Sequence, residues 1–471
     1  MTEKISVRNP RTGNIDYWIT PPSSEQIAAQ CEKMRQAQID WQKAGLERRI
    51  AALQQWKQAI LARKDHLTKD LVADTGRLSV SILEIDSFIS TIDRWCRQSP
   101  DLLNEEEKVT AIPFIQLQSQ QVPYQLVGVI SPWNFPILLS TIDTIPALLA
   151  GCAVIVKPSE IAPRFIQPLL ETIADVPLLK DILTYIEGAG ETGATLIEYV
   201  DLVCFTGSVA TGRKVGEAAA KRFIPAFLEL GGKDPAIVLE SADLELATSA
   251  LLWGSVVNTG QSCLSIERIY VAESIFDEFV EKLVEKSQKV KLAYPSIEEG
   301  EIGPIIAERQ ADIIAEHLQD ALEKGAVVRC GGVVEKLNGG LWCHPTVLTQ
   351  VNHGMKIMTE ETFGPIMPVM QFSHIEEAIN LSNDTIYGLS AAVFAGSSEE
   401  AIEVARHLDA GAISINDAGL TALVHEGEKN SFKFSGLGGS RMGAAAIKRF
   451  MRKKAFLIKT QPISDPWWFK T

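Results

Sequence analysis

The sequence predicts an α/β protein with two domains, the first built on a doubly wound parallel sheet. Two observations lead to this fold class. From about residue 122, short β-branched runs alternate with helical segments, which is typical of parallel strands joined by helices that cover both faces of the sheet. A second alternating series begins near residue 234. The length of 471 residues is sufficient for two or three domains, each with a large buried core.

The first hundred residues are expected to be mainly helical. Ser23 and Gln26 form a capping-box pattern at a helix start. Apolar residues then recur at helical spacing through residues 49–72. Apolar and polar residues alternate over residues 109–130, which is typical of a β-hairpin.

The most apolar window covers residues 137–156 and is long enough to resemble a membrane span. Asp143, Pro146 and Gly151 interrupt it, and a central carboxylate is costly in lipid. We therefore expect a buried helix, a turn at Gly151 and a buried strand over residues 153–157 rather than a span.

Both alternating series can be divided into strands by their β-branched runs. The strands of the first series are expected within residues 125–132, 152–159, 182–188 and 201–208. Those of the second series are expected within residues 235–240, 265–273, 326–332, 340–351, 365–372, 389–396 and 412–417, with a helix over 243–256. Residues 229–235, rich in Gly and Pro, are expected to form a hinge between the two series.

Composition and charge exclude several classes of function. A net charge of −14 repels phosphate backbones, so no nucleic-acid partner is expected. The seven cysteines include no C-x-x-C pair, so we expect no metal site and no disulfide framework. Such cysteines suit a reducing compartment, and the N-terminus lacks the apolar core of a secretion signal, so a cytoplasmic location is expected.

Two glycine-rich turns are candidates for binding a dinucleotide diphosphate. The hexapeptide from Gly188 to Gly193 has the letters of the G-x-G-x-x-G fingerprint, but that fingerprint also requires an acidic residue about 20 residues downstream. The next turn contains Gly207, Ser208 and Gly212 at the start of an expected helix, which is a natural phosphate site.

Three residues are candidates for catalysis, each with a plainer alternative. Cys263 follows a glycine-containing turn and could be a reactive thiolate or a buried structural cysteine. Glu229 lies in an apolar run, where desolvation favours a general base, but it could also face solvent at a strand edge. Asn134 could donate its amide N–H to an oxyanion or merely form a turn.

Two further segments could reach a ribose or a phosphate. Lys157 and Glu160 follow an expected strand, and the carboxyl end of a parallel strand is where such ligands bind. Glu361, in the segment EETFGP, is a second candidate ribose-binding carboxylate.

Six motifs that occur in this order resemble those of the aldehyde dehydrogenase superfamily. They are PWNFP at 132–136, KPSE at 157–160, FTGS at 205–208, LELGGK at 228–233, GQSC at 260–263 and EETFGP at 360–365. The resemblance extends from about residue 20 to about residue 460. It implies a cofactor domain, a catalytic domain and a small β oligomerisation arm, and therefore a homodimer or homotetramer. The boundaries expected are 1–103 and 124–229 for the NAD(P)-binding domain, 230–436 for the catalytic domain, and 104–123 and 450–471 for the arm.

The resemblance also implies roles for the catalytic candidates. Cys263 would attack the aldehyde carbon to give a thiohemiacetal, and hydride loss would leave a thioester. The Asn134 amide and the backbone N–H of Cys263 would hold the oxyanion, and Glu229 would activate water to release the acid. Members that acylate coenzyme A replace this glutamate, so Glu229 argues against that alternative. An inactive scaffold that serves as a binding protein is a second alternative, against which the presence of all three residues argues.

The same resemblance implies a nicotinamide cofactor. Glu160 would bind both hydroxyls of the adenosine ribose and repel a 2′-phosphate, so NAD is favoured, although Lys157 leaves NADP as an alternative. The resemblance assigns the diphosphate mainly to Gly207 and Ser208, and the hexapeptide becomes a turn beside the adenosine. The other expected cofactor contacts are Trp133, Gly188, Gly193, Leu230, Gly231, Glu361 and Phe363.

Substrate preference is inferred from positions that line the substrate tunnel in the family. These positions are apolar, so we expect medium- or long-chain aliphatic or aromatic aldehydes rather than charged semialdehydes. They are Phe135, Leu138, Leu139, Ile142 and Leu264. Residues 420–433, the one loop considered as a source of a distant arginine, contain none.

The C-terminal segment departs from the usual family pattern. Residues 440–443 read SRMG where an acidic residue is usual, which puts the details of the substrate loop in doubt. Basic residues precede Trp467, Trp468 and Phe469, a combination that suits a membrane surface. We instead expect a subunit interface and a solvated helix face.

Overall fold

The computed structural model describes residues 3–104, 107–112 and 114–461. Its helices are α1 Ser24–Lys43, α2 Gly45–Ala62, α3 Lys64–Thr75, α4 Ser79–Leu102, α5 Pro136–Thr141, α6 Thr144–Ala150, α7 Ile166–Ala174, α8 Gly190–Ile197, α9 Val209–Arg222, α10 Leu244–Val256, α11 Phe276–Lys289, α12 Glu308–Glu323, α13 Lys356–Thr359, α14 Ile375–Asn383, α15 Ser398–Ala405, α16 Leu420–Leu423 and α17 Ala445–Lys448.

The strands are numbered in chain order in the same way. They are β1 Ile5–Arg8, β2 Ile15–Ile19, β3 Glu107–Val109, β4 Ile115–Pro123, β5 Leu126–Ile130, β6 Ala153–Lys157, β7 Leu183–Tyr185, β8 Leu202–Thr206, β9 Ala226–Glu229, β10 Asp234–Val238, β11 Ile266–Ala272, β12 Val327–Cys330, β13 Val334–Leu337, β14 Gly340–Cys343, β15 Thr346–Thr349, β16 Ile366–Phe372, β17 Ser390–Phe394, β18 Ala412–Ile415, β19 Gly436–Leu437 and β20 Met451–Lys459.

The first sheet has the spatial order β19-β9-β8-β5-β6-β7. All neighbours are parallel except the pair β19–β9. From β5 the chain builds outward through β6 to β7 and then returns to the other side at β8, so the strand order reverses between β5 and β8. Every residue of β5, β6 and β8 is buried, as expected for parallel strands covered on both faces. The predicted doubly wound parallel sheet is thus confirmed.

The N-terminal helices pack on this sheet. The predicted capping box at the start of α1 is confirmed, since the Ser23 hydroxyl accepts from the Gln26 N–H and the Gln26 side chain accepts from the Ser23 N–H. Apolar side chains of α1, α2 and α4 enter one core together with the buried strands, and Phe450 joins that core from the C-terminal segment. The chain end is therefore part of the first core.

The apolar window from residue 137 to residue 156 is not one helix followed by a strand. It forms two short helices, α5 and α6, before β6. The break falls at Asp143, whose carboxylate is buried and ion-paired with arginines, so it marks a specific polar contact inside the core. Gly151 makes the predicted turn with a left-handed φ of +106°. Within the described ranges, no helix has the length and hydropathy that a membrane span requires.

The second sheet has the order β12-β15-β16-β11-β10-β17-β18 and is parallel except for the pair β12–β15. Apolar clusters lie on its two faces. Within β10, Ile237 belongs to one cluster, while Ala236 and Val238 belong to the other, because successive strand residues point to opposite faces. The predicted second α/β unit is confirmed. The connection from Glu229 to Asp234 joins the two sheets.

A third, small sheet has the order β20-β4-β3, with both pairs antiparallel. A hairpin does form here, but it lies nearer the N-terminus than residues 109–130: β3 and β4 pair antiparallel, whereas β5 enters the first sheet. β20 pairs with β4 over its whole length and is solvent-exposed in the single chain, with Leu457 74% exposed. Trp467, Trp468 and Phe469 lie outside the described residues.

Candidate active site

Cys263 lies in a constrained turn between α10 and β11. Three successive residues, Asn258, Thr259 and Gly260, have φ values of 56°, 58° and 68°. A β-branched residue is unfavourable in this region, but Thr259 is buried and donates its hydroxyl proton to the Gly303 carbonyl over 2.9 Å. A Cβ on Gly260 would lie 2.2 Å from the Gly364 carbonyl oxygen, so only glycine fits there. Contacts with Gly303 and Gly364 therefore hold the turn in this unfavourable backbone conformation.

The Cys263 side chain is half-buried, and its surroundings favour the neutral thiol over the thiolate. Burial raises its pKa to about 12, and nearby carboxylates add to the effect. These carboxylates belong to Glu361, Asp234 and Glu229, whereas Arg441 lowers the pKa. A reactive thiolate is favoured by electropositive surroundings, but the charges around Cys263 are mainly negative. A base must therefore take the thiol proton during any attack at neutral pH.

Glu229 is the last residue of β9. The parallel register places it beside Thr206 of β8, and the antiparallel register places it beside Gly436 of β19. The Ser431 hydroxyl donates to its carboxylate over 3.1 Å. The carboxylate is thus held at the carboxyl end of the first sheet, facing a pocket that Cys263 also lines.

Asn134 connects the turn after β5 to the turn that carries Cys263. Its Nδ2 donates to the Gln261 carbonyl over 3.0 Å. The Asn134 backbone carbonyl accepts hydrogen bonds from the Arg77 guanidinium over 2.6 Å and from the Asn258 side-chain amide over 3.0 Å. An amide NH₂ has two protons, so one N–H remains for a second acceptor such as an oxyanion.

Arg77 and Glu84, which no sequence pattern identified, support the Asn134 turn. They form a buried ion pair of 2.8 Å, and Glu84 also accepts from the backbone N–H groups of Ile137 and Leu138 at the start of α5. Burial raises the pKa of Glu84 to about 7 and lowers that of Arg77 to about 10, with each partner's charge opposing the shift. No local pattern identifies this pair, because the residues that it supports, Asn134 and Ile137, lie more than 50 residues away in the chain.

Two cavities meet at Cys263. One, of about 140 Å³, is a cleft lined by seven of the expected cofactor contacts. These are Trp133, Gly207, Ser208, Leu230, Gly231, Glu361 and Phe363. The other, of about 250 Å³, is a mainly apolar pocket lined by all five expected tunnel residues, namely Phe135, Leu138, Leu139, Ile142 and Leu264. Cys263 lines both cavities, so its thiol stands between them.

The cleft has the features of a dinucleotide site. Ser208 is the N-cap of α9, its hydroxyl accepting from the Thr211 N–H over 3.3 Å, so the helix N-terminus adjoins the cleft. A Cβ on Gly231 would lie 2.7 Å from the Glu361 carboxylate, so the backbone can approach closely there. Burial raises the pKa of Glu361 to about 8, while the Gly232 N–H donates to it over 3.1 Å.

Four expected cofactor contacts do not line this cleft. Lys157 and Glu160 lie beyond it at the end of β6, with 3.5 Å between Nζ and Oε2, and burial lowers the pKa of Lys157. A Cβ on Gly193 would lie 3.7 Å from the Lys157 side chain, so these residues are neighbours. Gly188 has a φ of +145°, and a Cβ there would lie 2.1 Å from the Thr192 hydroxyl, which accounts for glycine by local packing.

The hexapeptide is far from the point where the strand order reverses. It follows β7, the edge strand of the first sheet, and α8 begins within it at Gly190. Open α/β sheets bind ligands where the strand order reverses, which here lies between β5 and β8. The turns that follow those two strands carry Asn134 and Ser208.

Comparisons with known proteins identify the family of the chain. A sequence model described as "Aldehyde dehydrogenase family" matches residues 1–456. The chain belongs to the aldehyde dehydrogenase family. The resemblance predicted from the ordered motifs is thereby confirmed, and the chain is an enzyme of a family whose activity is NAD(P)-dependent aldehyde oxidation.

Individual similarities cover nearly the whole of this aldehyde dehydrogenase. The solved structure of PutA from Anabaena variabilis, assigned as an aldehyde dehydrogenase, is 70% identical, with a TM-score of 0.98 over 99% of this chain and 100% of that chain. The 4,4′-diapolycopene aldehyde oxidase of a Methylomonas species is 37% identical over 94% of this chain and 84% of that protein. A Mycolicibacterium smegmatis protein assigned as an NADP⁺-dependent succinate-semialdehyde dehydrogenase is 36% identical over 94% of this chain and 86% of that protein.

The mainly apolar pocket of this aldehyde dehydrogenase also contains two cationic side chains, which the five apolar positions named from the sequence did not predict. Lys429 and Arg441 both line it. Lys429 donates to the Thr421 carbonyl over 3.2 Å, and burial lowers its pKa. Arg441 lies outside the loop considered for a distant arginine. Its approach to the pocket depends on an ion pair with Asp143, which is 298 residues away in the chain.

The mouth of the pocket carries three exposed apolar side chains. Leu83, Trp253 and Leu423 are 54%, 48% and 67% exposed and line the same pocket. A Cβ on Gly419 would lie 2.2 Å from the Trp253 ring, so that glycine lets the indole approach the backbone closely. We call Leu83, Trp253 and Leu423 the apolar rim.

Among the described residues, no group of three or more His, Cys, Asp and Glu side chains could hold a metal ion.

Proposed function

We propose that this aldehyde dehydrogenase oxidises apolar aldehydes, of medium or long chain or aromatic, to free carboxylic acids. The observation that carries the proposal is the position of Cys263 in the lining of both the cleft that carries the expected cofactor contacts and the mainly apolar pocket. A thiol in that position can react with a carbonyl that enters from one side while the cofactor lies on the other.

In the first step, Cys263 attacks the aldehyde, and hydrogen-bond donors stabilise the charge that forms. The Cys263 sulfur forms a bond to the carbonyl carbon, and its proton passes to a base. The carbonyl oxygen gains negative charge, which the Asn134 amide and the Cys263 backbone N–H stabilise by hydrogen bonds. Arg77 and Asn258 donate to the Asn134 backbone carbonyl, and the Asn134 side-chain amide donates to the Gln261 carbonyl. The amide is therefore positioned before the substrate arrives.

NAD(P), when bound in the cleft, supplies the acceptor for the hydride. Ser208 and the N-terminus of α9 suit its diphosphate, and Glu361 suits the ribose next to the nicotinamide. Lys157 and Glu160 are proposed to bind the adenosine ribose. We favour NAD because the Glu160 carboxylate would repel a 2′-phosphate. Lys157 and the NADP⁺-dependent relative support NADP as the alternative.

Glu229 is proposed to complete the reaction. A water molecule gives its proton to the carboxylate and attacks the thioester carbon, which releases the acid and returns the Cys263 thiol. The Ser431 hydroxyl holds the carboxylate at the edge of the pocket. The presence of a glutamate at position 229 favours hydrolysis of the thioester over transfer of the acyl group to coenzyme A.

The apolar pocket lining supports the substrate class. A relative named for a diapolycopene aldehyde agrees with an apolar substrate. The relative assigned to succinate semialdehyde, together with Lys429 and Arg441 in the pocket, favours a charged semialdehyde as the competing candidate.

The test is a panel of aldehydes assayed with NAD and with NADP by absorbance at 340 nm. The proposal expects higher kcat/KM for decanal and benzaldehyde than for succinate semialdehyde, and the reverse order would overturn the substrate class. Cys263→Ala should abolish aldehyde-dependent NADH formation. Glu229→Gln should give one burst of NADH and then stall, whereas sustained turnover would contradict its role in hydrolysis.

Assembly and location are part of the proposal. Exposure of β20 in the single chain supports a homo-oligomer formed through the small sheet. The unpaired cysteines support a reducing, cytoplasmic setting.

A further inference from the structure

Two of the six ordered motifs contribute buried residues that the proposed function does not use. Lys233 ends the motif LELGGK, and Thr362 lies in EETFGP. The Lys233 ammonium is buried and donates to the Glu267 carboxylate over 2.6 Å and to the Thr362 hydroxyl over 3.1 Å. Glu267 is itself buried, and a buried charge is tolerated when it is paired in this way. The three side chains therefore form one connected unit.

Three neighbouring strands of the second sheet bring this unit together. Lys233 immediately precedes β10, Glu267 is the second residue of β11, and Thr362 lies in the turn before β16. β11 pairs in parallel with both β10 and β16. The unit thus lies at the amino ends of three adjacent strands, and Cys263 precedes the central one.

The Glu267 carboxylate also binds the backbone of the turn before β16. Its two oxygens accept from two successive N–H groups, that of Thr362 over 2.8 Å and that of Phe363 over 2.7 Å. Successive N–H groups in a turn form a concave site for an anion. Phe363 has a φ of 54°, which is unfavourable for a bulky residue. The carboxylate therefore holds Phe363 in a conformation that the residue would otherwise leave.

Helix α12 holds the same turn through the hydroxyl and the carbonyl of Thr362. Because the hydroxyl accepts from Lys233, its own proton is available to Nδ1 of His317, which lies 3.1 Å away. Burial lowers the pKa of His317, which favours the neutral ring that can accept this proton. Gln310 donates to the Thr362 carbonyl over 2.7 Å. Every polar group of Thr362 thus has a partner from another segment.

The side chain of Phe363 forms part of the wall of the cleft proposed to hold the cofactor. Its ring contacts that of Trp133 edge to face, with 5.6 Å between the centroids. Both residues line the cleft together with Cys263. A displacement of Phe363 would therefore change the shape of the cleft that Cys263 lines.

We propose that Glu267, fixed by Lys233, is a positioning residue that holds Phe363 against the nicotinamide ring for transfer of the hydride. In that step the carbon bound to the Cys263 sulfur loses a hydride to the oxidised nicotinamide, and its C–O⁻ bond becomes the thioester carbonyl. The inference rests on the proposed placement of the nicotinamide in this cleft. Glu267 touches neither cofactor nor substrate in this role and acts through the backbone of Phe363.

The variants remove one part of the unit at a time. In Glu267→Gln one of the two backbone N–H groups faces an NH₂ group, which is a donor and cannot accept. Thr362→Val removes only the hydroxyl from a side chain of the same shape, and Thr362→Ser retains it. The matched control is Glu285→Gln, since the Glu285 side chain is 69% exposed and pairs with Lys289 over 2.7 Å on α11. Thermal unfolding shows which variants are folded.

Three measurements separate the cleft from the thiol. The rate of the first turnover of NADH formation with decanal reports transfer of the hydride. Titration calorimetry with NAD, without aldehyde, reports the affinity of the cleft. The burst of p-nitrophenolate from p-nitrophenyl acetate needs no nicotinamide, because the Cys263 sulfur displaces p-nitrophenolate and keeps the acetyl group. It therefore reports the reactivity of Cys263 alone.

The expected result for Glu267→Gln is a first turnover of NADH formation slowed about 100-fold, the cost of displacing a reacting group by about 1 Å. NAD should bind more weakly, whereas the p-nitrophenolate burst should keep the rate found in Glu285→Gln. Thr362→Val should show the same pattern to a smaller extent, and Thr362→Ser should lie closer to the parent enzyme. If Glu267→Gln does not fold, Thr362→Val carries the test.

A decrease in either NADH formation or NAD affinity, with an intact p-nitrophenolate burst, supports the inference. Values equal to those of Glu285→Gln in every folded variant would overturn it. A p-nitrophenolate burst that slows as much as NADH formation would also overturn it, because the effect would then lie at Cys263. Absence of aldehyde-dependent NADH formation in the parent enzyme would instead overturn the proposed function, and this inference with it.

Discussion

Cys263 illustrates how strongly a single side chain depends on groups distant in sequence. The motif GQSC identifies the residue, but burial and three carboxylates from other segments determine its pKa. The motif left open whether Cys263 is a reactive thiolate, which needs surroundings that lower the pKa of the thiol, or a buried structural cysteine. The carboxylates come from β9, β10 and the turn before β16, so no window around Cys263 contains them.

The raised pKa of Cys263 predicts slow alkylation of the free enzyme. With a pKa of about 12, the thiolate fraction should increase about tenfold for each pH unit up to pH 10, so the rate with iodoacetamide should increase in the same way. The rate is measured by loss of the burst with p-nitrophenyl acetate. Labelling of Cys263→Ala corrects for the other cysteines. A rate that reaches a plateau below pH 9 would contradict the prediction.

At the scale of elements, the strand order decides what each glycine-rich turn can do. The hexapeptide has the right letters, but it follows β7 at the sheet edge. The turns after β5 and β8 flank the position where the strand order reverses, and they carry Asn134 and Ser208. Strand positions could be predicted from β-branched runs, whereas their lateral order depends on how helices cross the sheet.

The buried ion pair between Arg77 and Glu84 connects α4 to the Asn134 turn, and its removal should lower the stability of the fold. Arg77→Met leaves the Glu84 carboxyl buried without its partner, which should cost about 3 kcal/mol of folding free energy. The change is measured as a lower midpoint of thermal unfolding. The double variant Arg77→Met/Glu84→Gln should recover part of the loss, because it removes the uncompensated charge. A double variant no more stable than Arg77→Met would argue against this account.

The apolar rim predicts a dependence on substrate length that involves α16. Each additional buried methylene should increase kcat/KM about fourfold, since it contributes about 0.8 kcal/mol. Leu423→Ser should therefore reduce kcat/KM for decanal more than for butanal. Ile402→Ser, 40% exposed in the parent chain and outside the pocket lining, is the matched control. Equal losses for both aldehydes would rule out a role for Leu423 in binding the substrate tail.

At the scale of the whole molecule, the candidate site draws on both large sheets. Glu229 ends a strand of the first sheet, while Cys263 precedes a strand of the second. The connection between β9 and β10 is only four residues long, from Leu230 to Lys233, so the two sheets meet close to Glu229. The predicted hinge segment is thus also the segment that brings catalytic candidates from two domains together.

The small sheet predicts how copies of the chain associate. Leu457→Arg introduces a charge on an exposed apolar strand and should lower the molecular mass measured by light scattering after gel filtration. The free energy of unfolding of the single chain should change little, because Leu457 is 74% exposed there. Val333→Arg, at a position 63% exposed and outside β20, is the control. An unchanged mass for Leu457→Arg would exclude this surface as the interface.

The sequence by itself determined the α/β class, most strands of both series and the family, because these depend on local periodicity and on ordered short motifs. It did not predict β9 or β13, and the one strand expected within residues 340–351 is two strands, β14 and β15. It also named Cys263, Glu229 and Asn134, although their roles remain proposals. Only the tertiary structure decided that Arg441 and Arg449 pair with Asp143, and that Arg77 and Glu84 hold the Asn134 turn. Buried charges must find partners wherever the fold brings them, and that depends on packing of distant segments rather than on any local pattern.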